Sequence, residues 1–292
     1  MSNPQYVAPE SLADALHIKS ESGASARVIA GGTDLILRMR DRVFTPELLV
    51  DLCRIPLTGI SCGSDQMCIG ASVNLSQILA HEDIARLFPA LAEACRPFAG
   101  PPIRNRATLG GNIVNASPAA DLVPPLIAYD ARVVLSSVSG DREVPLVEFF
   151  TGPGQTVLEP DEILTEVRLP LMPARTAAHF IKLGQRRSMA ISIVNLCTRL
   201  SLAEDRKIAT ARIALGAVAP TPMRAVAAEK ALMGTALSPE MIEQAAQLAS
   251  KEISPISDVR ASGDYRRRMT RVLVRRALTV TRDELGETDS DD

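Results

Sequence analysis

The segment Thr108–Asp121 reads TLGGNIVNASPAAD. It gathers a Gly-Gly pair, three side chains that can cap or bridge (Thr108, Asn112, Asn115), a Ser-Pro step and an acid. Only Ile113-Val114 interrupts the polar run. A core helix or strand is not built this way. Adjacent glycines let backbone approach a bulky partner and take positive φ. N–H groups freed by such a turn form a concavity that binds anions. A surface turn between two strands is the commoner fate of Gly-Gly-Asn. A second segment weighs against that bland reading. Ala30–Leu35, AGGTDL, follows the β-branched pair Val28-Ile29 and precedes Ile36-Leu37. That is strand, glycine turn, then a polar pair able to cap the next element. Two such turns suit the phosphates and ribose of one large nucleotide cofactor.

Other chemistries find little support. Gly152-Pro153-Gly154 lacks the third glycine of a dinucleotide fingerprint, and its proline stands in the way. There is no Walker loop, Gly-x-Ser-x-Gly elbow or His-Glu-x-x-His pattern. His17, His81 and His179 are far apart, without clustered carboxylates. Any reactivity must therefore come from a bound cofactor.

The elements that hold these turns follow from periodicity. Pro9–Ser22 reads as a helix started by Glu10 or Ser11 and ended by Gly23. Arg27–Ile29, a helical turn at Leu35–Met39 and a strand at Leu48–Asp51 complete a compact unit read as β-α-β-α-β, with no definite range for its first strand. Met67–Ala71 is a strand, and Asn74 or Ser76 caps a helix through Leu79–Ala80 with a solvated His81 near its end. Phe88–Ala94 reads as a helix closed by Phe98, and Ala99–Pro102 as a turn. Arg104 and Arg106 lead into the polar segment. Pro124–Tyr129 is helical and Arg132–Ser136 extended; strands at Val144–Phe150 and Ile163–Leu169 flank Thr151–Gly154. Past Pro170–Pro173 come long alternating strands, Ala178–Lys182, Ser192–Leu202 and Thr210–Val218. Helices Ala225–Leu232, Met241–Ser250 and Asp264–Thr281 follow, an order that fits a separate α+β domain. The last helix is rich in arginine. Its stripe of Met269, Leu273 and Leu278 favours a solvated or partner-facing helix over a phosphate site. Glu284–Asp292 is an acidic tail expected to be disordered.

Composition sets outer limits. The chain has 292 residues, 46% hydrophobic, with 23% charged and a net charge of −2, enough for two or three small domains. The balance gives no basic nucleic-acid groove, and 3% aromatics without Trp give no base-stacking platform. No apolar run reaches the length of a membrane span. The N-terminus lacks the pattern of a signal peptide, which implies a cytoplasmic location. Cys53, Cys62, Cys68, Cys95 and Cys197 include no Cys-x-x-Cys pair, so buried reduced thiols are expected rather than a metal site.

AGGTDL and TLGGNIVNASPAAD resemble the two signature loops of the FAD-binding medium subunit of the molybdenum hydroxylases, of xanthine dehydrogenase and carbon monoxide dehydrogenase type. The resemblance extends over nearly the whole chain, through AGPPIRNRATLGGN, FFTGPGQTVLEPDEILTEVRLP, KLGQRRSMAISIVN and LGAVAPTPMRA. The fold class it implies is α+β: a two-part vanillyl-alcohol-oxidase-type FAD-binding fold, residues 1–55 and 56–173 (each α/β), a C-terminal α+β domain at 174–285, and the tail 286–292. It implies a heterotrimer with a large molybdopterin subunit and a small subunit holding two [2Fe-2S] clusters. Electrons from xanthine or another N-heteroaromatic substrate would pass through the clusters to FAD and on to NAD or another acceptor. A stand-alone flavin oxidase of the same fold is the alternative. An assembly protein in which both loops are plain turns is a third.

The same resemblance assigns roles by position. Val28, Ile29, Ala30, Gly31, Gly32, Thr33, Asp34 and Leu35 form the first pyrophosphate loop, with the N–H groups of residues 31–33 on phosphate oxygens. Asp34 would hold the loop through backbone N–H groups, or bind a ribose hydroxyl. Thr108, Leu109, Gly110, Gly111 and Asn112 approach the diphosphate from the other side. Val114 and Asn115 lie under the isoalloxazine and ribityl chain, and Ser117 and Asp121 bind the adenosine or diphosphate half. Phe98 stacks in the site, Leu164 presses on the ring, and Glu162 is a weaker candidate. Lys182 supplies a positive charge near the ring or the acceptor; the bland alternative is a surface lysine at a strand end. No side chain needs to move a proton. Where many relatives carry an acid before an Ile-Ala pair this chain has Ser188-Met189-Ala190, a departure that bears on the acceptor or the partner.

Overall fold

The computed structural model describes residues 4–186 and 189–287, so Ser188 and the tail beyond Glu287 lie outside the described residues. Near the N-terminus, β1 (Gln5–Val7), α1 (Leu12–Ser22), β2 (Ala26–Ile29), α2 (Leu35–Arg40) and β3 (Leu48–Asp51) follow in order. The strands pair in parallel in the order β1-β3-β2. Ser11, not Glu10, caps α1 by accepting from Asp14 N–H, and Gly23 at φ 51 ends it. The buried Lys19 ties that end to β2 through the carbonyls of Gly23 and Ala26, at 2.9 and 3.0 Å. Strand β1 escapes periodicity because it is only three residues long and mostly exposed.

The second part holds β4 (Ile60–Cys62), β5 (Gln66–Gly70), α3 (Leu75–Ala80), α4 (Glu82–Leu87), α5 (Pro89–Cys95), α6 (Pro101–Arg104), α7 (Leu109–Val114) and α8 (Val123–Ala128). It continues with β6 (Arg132–Ser137), β7 (Gly140–Pro145), α9 (Leu146–Phe149), β8 (Phe150–Gly152), β9 (Gln155–Thr156) and β10 (Ile163–Pro170). Five strands form one antiparallel sheet in the order β4-β5-β10-β6-β7. Ile163, which opens β10, packs into the small N-terminal core with Leu16 and Val50 and so joins the first two parts.

The C-terminal part contains β11 (Thr176–Gly184), β12 (Ser192–Leu202), β13 (Ile208–Gly216), β14 (Met223–Arg224), α10 (Val226–Leu232), α11 (Pro239–Glu252) and α12 (Gly263–Glu287). Its sheet, β11-β12-β13-β14, is antiparallel. One face packs on the helices through Leu196, Leu200, Ile213 and Leu215. The other gives Ala178, Phe180, Cys197 and Ala214 to the core of the second part. Strand β12 is therefore buried on both faces, not alternately exposed. Its alternating polar residues meet partners instead: Asn195 and Arg199, four apart on one face, reach Asp121 and Asp130 at 2.8 Å each.

Several expectations need correction. The polar segment at 108–121 begins as a helix, α7, because Thr108 caps it and Leu109 and Ile113, four apart, are both buried. Pro101–Arg104 is a short helix where a turn is expected, since proline suits the first helical turn. Val144–Phe150 is not one strand: β7 ends at Pro145, and α9 intervenes before β8. The thiols are not uniformly buried; Cys53 and Cys62 are exposed, and only Cys95 and Cys197 are fully enclosed. His81 is half-buried at the junction of α3 and α4, its Nδ1 without a hydrogen-bond partner among the described residues. Helix α12 runs to Glu287, so the acidic stretch begins inside a helix. Its Arg266 turns inward, donating to the carbonyls of Ile193 (2.6 Å) and Ala217 (2.9 Å). No helix among the described residues is long and apolar enough to cross a membrane.

Candidate functional site

The two glycine bends meet. A Cβ placed on Gly31 would lie 1.8 Å from the Arg106 carbonyl oxygen and 3.2 Å from Ala107 Cα. The first bend thus rests on the residues that lead into Thr108. The second is laid on the link between β5 and α3. Leu109 N–H donates to Val73 O, and Gly110 N–H to Ala71 O at 2.8 Å. A Cβ on Gly110 would come within 2.7 Å of the Ala71 side chain. Both glycines serve close approach. Of the two pairs only Gly32, at φ 68, needs the left-handed region.

The distribution of free donors differs from expectation. Gly111 N–H donates to Thr108 Oγ1 at 3.1 Å, and Asn112 N–H to Thr108 O at 3.0 Å. With Gly110 N–H committed to Ala71 O, none of these three N–H groups is free. They cannot form the anion nest that the glycine pair suggests. Among the described residues no acceptor takes the N–H groups of Gly31, Gly32 or Thr33. Asn112 Oδ1 is buried with no hydrogen-bond partner among the described residues, an omission worth about 1–3 kcal/mol unless a ligand answers it. Free donors on the first bend, and an orphaned acceptor on the helix that follows the bend's contact at Arg106–Ala107, fit a diphosphate and its ribose.

Asp34 does not hold the bend. It makes no cap bond, and its carboxylate lies 3.2 Å from Arg38 Nε, one helical turn on. Val28 and Ile29 close β2; they are half-buried, as are Ala30 and Leu35. Leu109 is fully buried and so acts as scaffold. Val114 is 36% exposed on α7, and Asn115 is the residue that ends that helix. Ser117 Oγ accepts from Ala119 N–H at 3.3 Å, shaping its own turn. Phe98 packs at the edge of the second core. Arg104 fixes its backbone, donating to Phe98 O at 2.8 Å and Ala99 O at 3.2 Å. Leu164 is buried in β10. Glu162 receives Arg142 at 2.5 and 2.8 Å and Glu159 N–H at 2.8 Å. Burial alone would raise its carboxyl, but these donors outweigh it and hold it below the ordinary range. That role is a strut in the turn before β10.

Two residues assigned separately form one buried ion pair. Lys182 Nζ donates to Asp121 Oδ2 at 2.5 Å, with side chains only 9% and 8% exposed. Lys182 is therefore no surface lysine. Asp121 Oδ1 accepts from Ser192 Oγ at 2.6 Å and Asn195 Nδ2 at 2.8 Å. Neither Ser192 nor Asn195 is picked out by sequence reasoning. The available signal was a serine and an asparagine at spacing three in a strand of apolar residues, legible only once that strand is known to be buried on both sides. Lys182 also lines an open cleft of about 510 Å³ with Glu93, Phe180 and Arg186.

Near this cleft Glu93 on α5 joins the second part to β11. Its carboxylate accepts from Phe180 N–H at 2.8 Å and lies 3.3 Å from His179 Nδ1. The Glu93 carboxylate raises His179 above its ordinary value, against the opposing effect of burial. A pKa raised on folding contributes stability that is fully present below the unfolded value, about 6.5. That contribution is lost as pH rises through the higher folded value. Wild-type protein should therefore outlast His179→Phe most at acidic pH, with the gap in melting temperature closing toward alkaline pH. A gap independent of pH would show that the pair contributes no linkage.

Comparison with known proteins agrees with this geometry. A family model described as the FAD binding domain in molybdopterin dehydrogenase matches residues 2–172, and one for the CO dehydrogenase flavoprotein C-terminal domain matches 179–281. The carbon monoxide dehydrogenase medium chain of Hydrogenophaga pseudoflava is 34% identical over 94% of this chain and 96% of its own length. The putative xanthine dehydrogenase FAD-binding subunit of Escherichia coli (strain K12) is 32% identical over 94% of each. The solved carbon monoxide dehydrogenase of Hydrogenophaga pseudoflava superposes with a TM-score of 0.92, covering 96% of this chain and 97% of that one. The chain belongs to the FAD-binding medium subunits of the molybdenum hydroxylase family, of carbon monoxide dehydrogenase and xanthine dehydrogenase type.

Proposed function

We propose that this FAD-binding oxidoreductase subunit takes electrons from [2Fe-2S] clusters of a small partner subunit and passes them to NAD or another acceptor. The large partner subunit holds the molybdopterin cofactor and oxidises xanthine or another N-heteroaromatic substrate. The observation that carries the cofactor reading is the meeting of the two bends at Gly31 and Arg106–Ala107, with free N–H groups at Gly31–Thr33 on one and the orphaned Asn112 Oδ1 on the helix that follows the other. FAD supplies the redox chemistry when bound. The chain's own residues bind and orient it: residues 31–33 donate to phosphate oxygens, Asn112 answers a hydroxyl, and Val114 with Leu164 offers apolar contact to the ring. Asp34, Phe98, Ser117 and Asp121 frame the remaining contacts. Lys182 places a positive charge at the cleft, and this reading assigns that opening to the acceptor. A cation there favours the negative charge that a flavin gains on reduction.

The test is co-expression with the two candidate partner subunits. The purified chain should be yellow, with close to one FAD per chain, and should pull down both partners. Its flavin should be reduced by the reduced iron–sulfur subunit. A colourless chain that takes up no FAD sinks the cofactor reading. Turnover of a small alcohol by the isolated yellow chain would instead favour a stand-alone oxidase.

A further inference from the structure

The C-terminal sheet grips the end of the second signature segment at several points. Ala217 N–H donates to Pro118 O at 2.6 Å, and Asn195 Nδ2 reaches Ala120 O at 3.3 Å as well as the Asp121 carboxylate. Lys182 and Asn195 are direct cross-strand partners on β11 and β12, so one rung of the sheet presents both to Asp121. Ser192 Oγ completes the set. The Asp121 carboxylate is out of water, with one oxygen on the ammonium and the other on two neutral donors. Gly216 makes room for this: a Cβ there would fall 2.1 Å from Asn195 Oδ1.

We infer that Ser192 and Asn195 are positioning residues for flavin redox chemistry, holding Asp121 so that Lys182 keeps its ammonium at the cleft. The inference rests on the reading that FAD lies along Gly31–Thr33 and α7. Without the two neutral donors, the carboxylate charge is answered by Lys182 alone. The positive ends of an O–H and an N–H dipole also disappear from the site. Both changes make the local potential more negative, in a low-dielectric setting where such changes are felt strongly. A reduced flavin, carrying the extra negative charge, suffers more than an oxidised one. The midpoint potential therefore falls.

The experiment measures the affinity of the whole chain for oxidised and for reduced FAD, together with the midpoint potential. Variants are Ser192→Ala and the near-isosteric Asn195→Leu. Loss of one charge-assisted bond should raise the dissociation constant of reduced FAD about tenfold, and that of oxidised FAD only about threefold. Ser192→Thr, which restores the hydroxyl, should return the ratio toward wild type. A merely structural role weakens both forms equally and leaves the potential unmoved; that result in either loss variant overturns the proposal. Wild-type chain that takes up no FAD overturns the cofactor reading, and this proposal with it. Normal wild-type loading with an unmoved ratio overturns the proposal alone.

Discussion

Gly31→Ala is expected to abolish FAD loading while leaving most of the chain folded. The added methyl carbon would fall 1.8 Å from the Arg106 carbonyl oxygen and 2.6 Å from its carbonyl carbon. Both are backbone atoms, and no rotamer relieves them. The first bend must therefore draw away from the second, by more than an ångström if contact is to become ordinary. Overpacking of this kind costs about 1–3 kcal/mol. The penalty falls on the N-terminal unit, whose small core of Leu16, Ala26 and Val50 lies elsewhere. Cofactor binding suffers most, because the free donors at 31–33 and the Asn112 acceptor must address one ligand together. Separating them should weaken FAD at least a hundredfold, about 2.7 kcal/mol. The flavin-to-protein ratio from visible absorbance reads the loss, and far-ultraviolet circular dichroism reads the fold. Gly111→Ala is the milder comparison. Its new carbon meets only Thr108 Oγ1, at 2.8 Å, which disturbs a helix cap and leaves the two bends together. Undiminished loading in Gly31→Ala would remove the joint between the bends from the binding site.

Much of this arrangement was legible in the sequence, and the remainder was hidden for identifiable reasons. The helix at Leu12–Ser22, the strand at Leu48–Asp51 and the long strands after residue 175 carried their own periodicity and stop signals. Both glycine bends announced themselves by composition. What composition misjudged was how each would be used. Gly-Gly at 110–111 suggested a nest of free N–H groups, yet Thr108 caps the segment into a helix and takes the Gly111 N–H, while Ala71 O takes that of Gly110. Whether a threonine caps or binds is settled by the backbone it stands on, which the sequence does not display. Asp34 drew attention as an acid beside a phosphate loop, but Arg38 lies one turn on and pairs with it. That i,i+4 spacing was readable in advance. The five-stranded sheet was harder, since β10 pairs with β5 and β6, each far away in the chain. The full set around Asp121 could not be read at all. It joins Asp121, Lys182, Ser192 and Asn195 across a domain junction, and no local pattern encodes such a junction.

That junction carries the second large effect, on stability. Asp121→Leu and Lys182→Met should both destabilise the chain, and the aspartate variant should do so more. Removing one member of a buried pair leaves the other charge uncompensated, at a cost of about 3–5 kcal/mol. The two deletions are unequal. Without Lys182, the carboxylate still holds Ser192 and Asn195. Without Asp121, an ammonium, a hydroxyl and an amide all lose their shared acceptor, although Asn195 retains a longer bond to Ala120 O at 3.3 Å. For a chain of this size the loss should lower the melting midpoint by about 5–10 °C for Lys182→Met, and by more for Asp121→Leu. The double variant Asp121→Leu/Lys182→Met removes both charges, so it should be more stable than the sum of the single losses predicts. The series is measured on FAD-free protein, so that ligand binding adds nothing to the midpoints. Strict additivity would mean that the two charges do not sense one another, and the 2.5 Å contact would then be without energetic consequence. Coupling larger than about 1 kcal/mol, with Asp121 the costlier loss, is what a carboxylate shared among three donors requires.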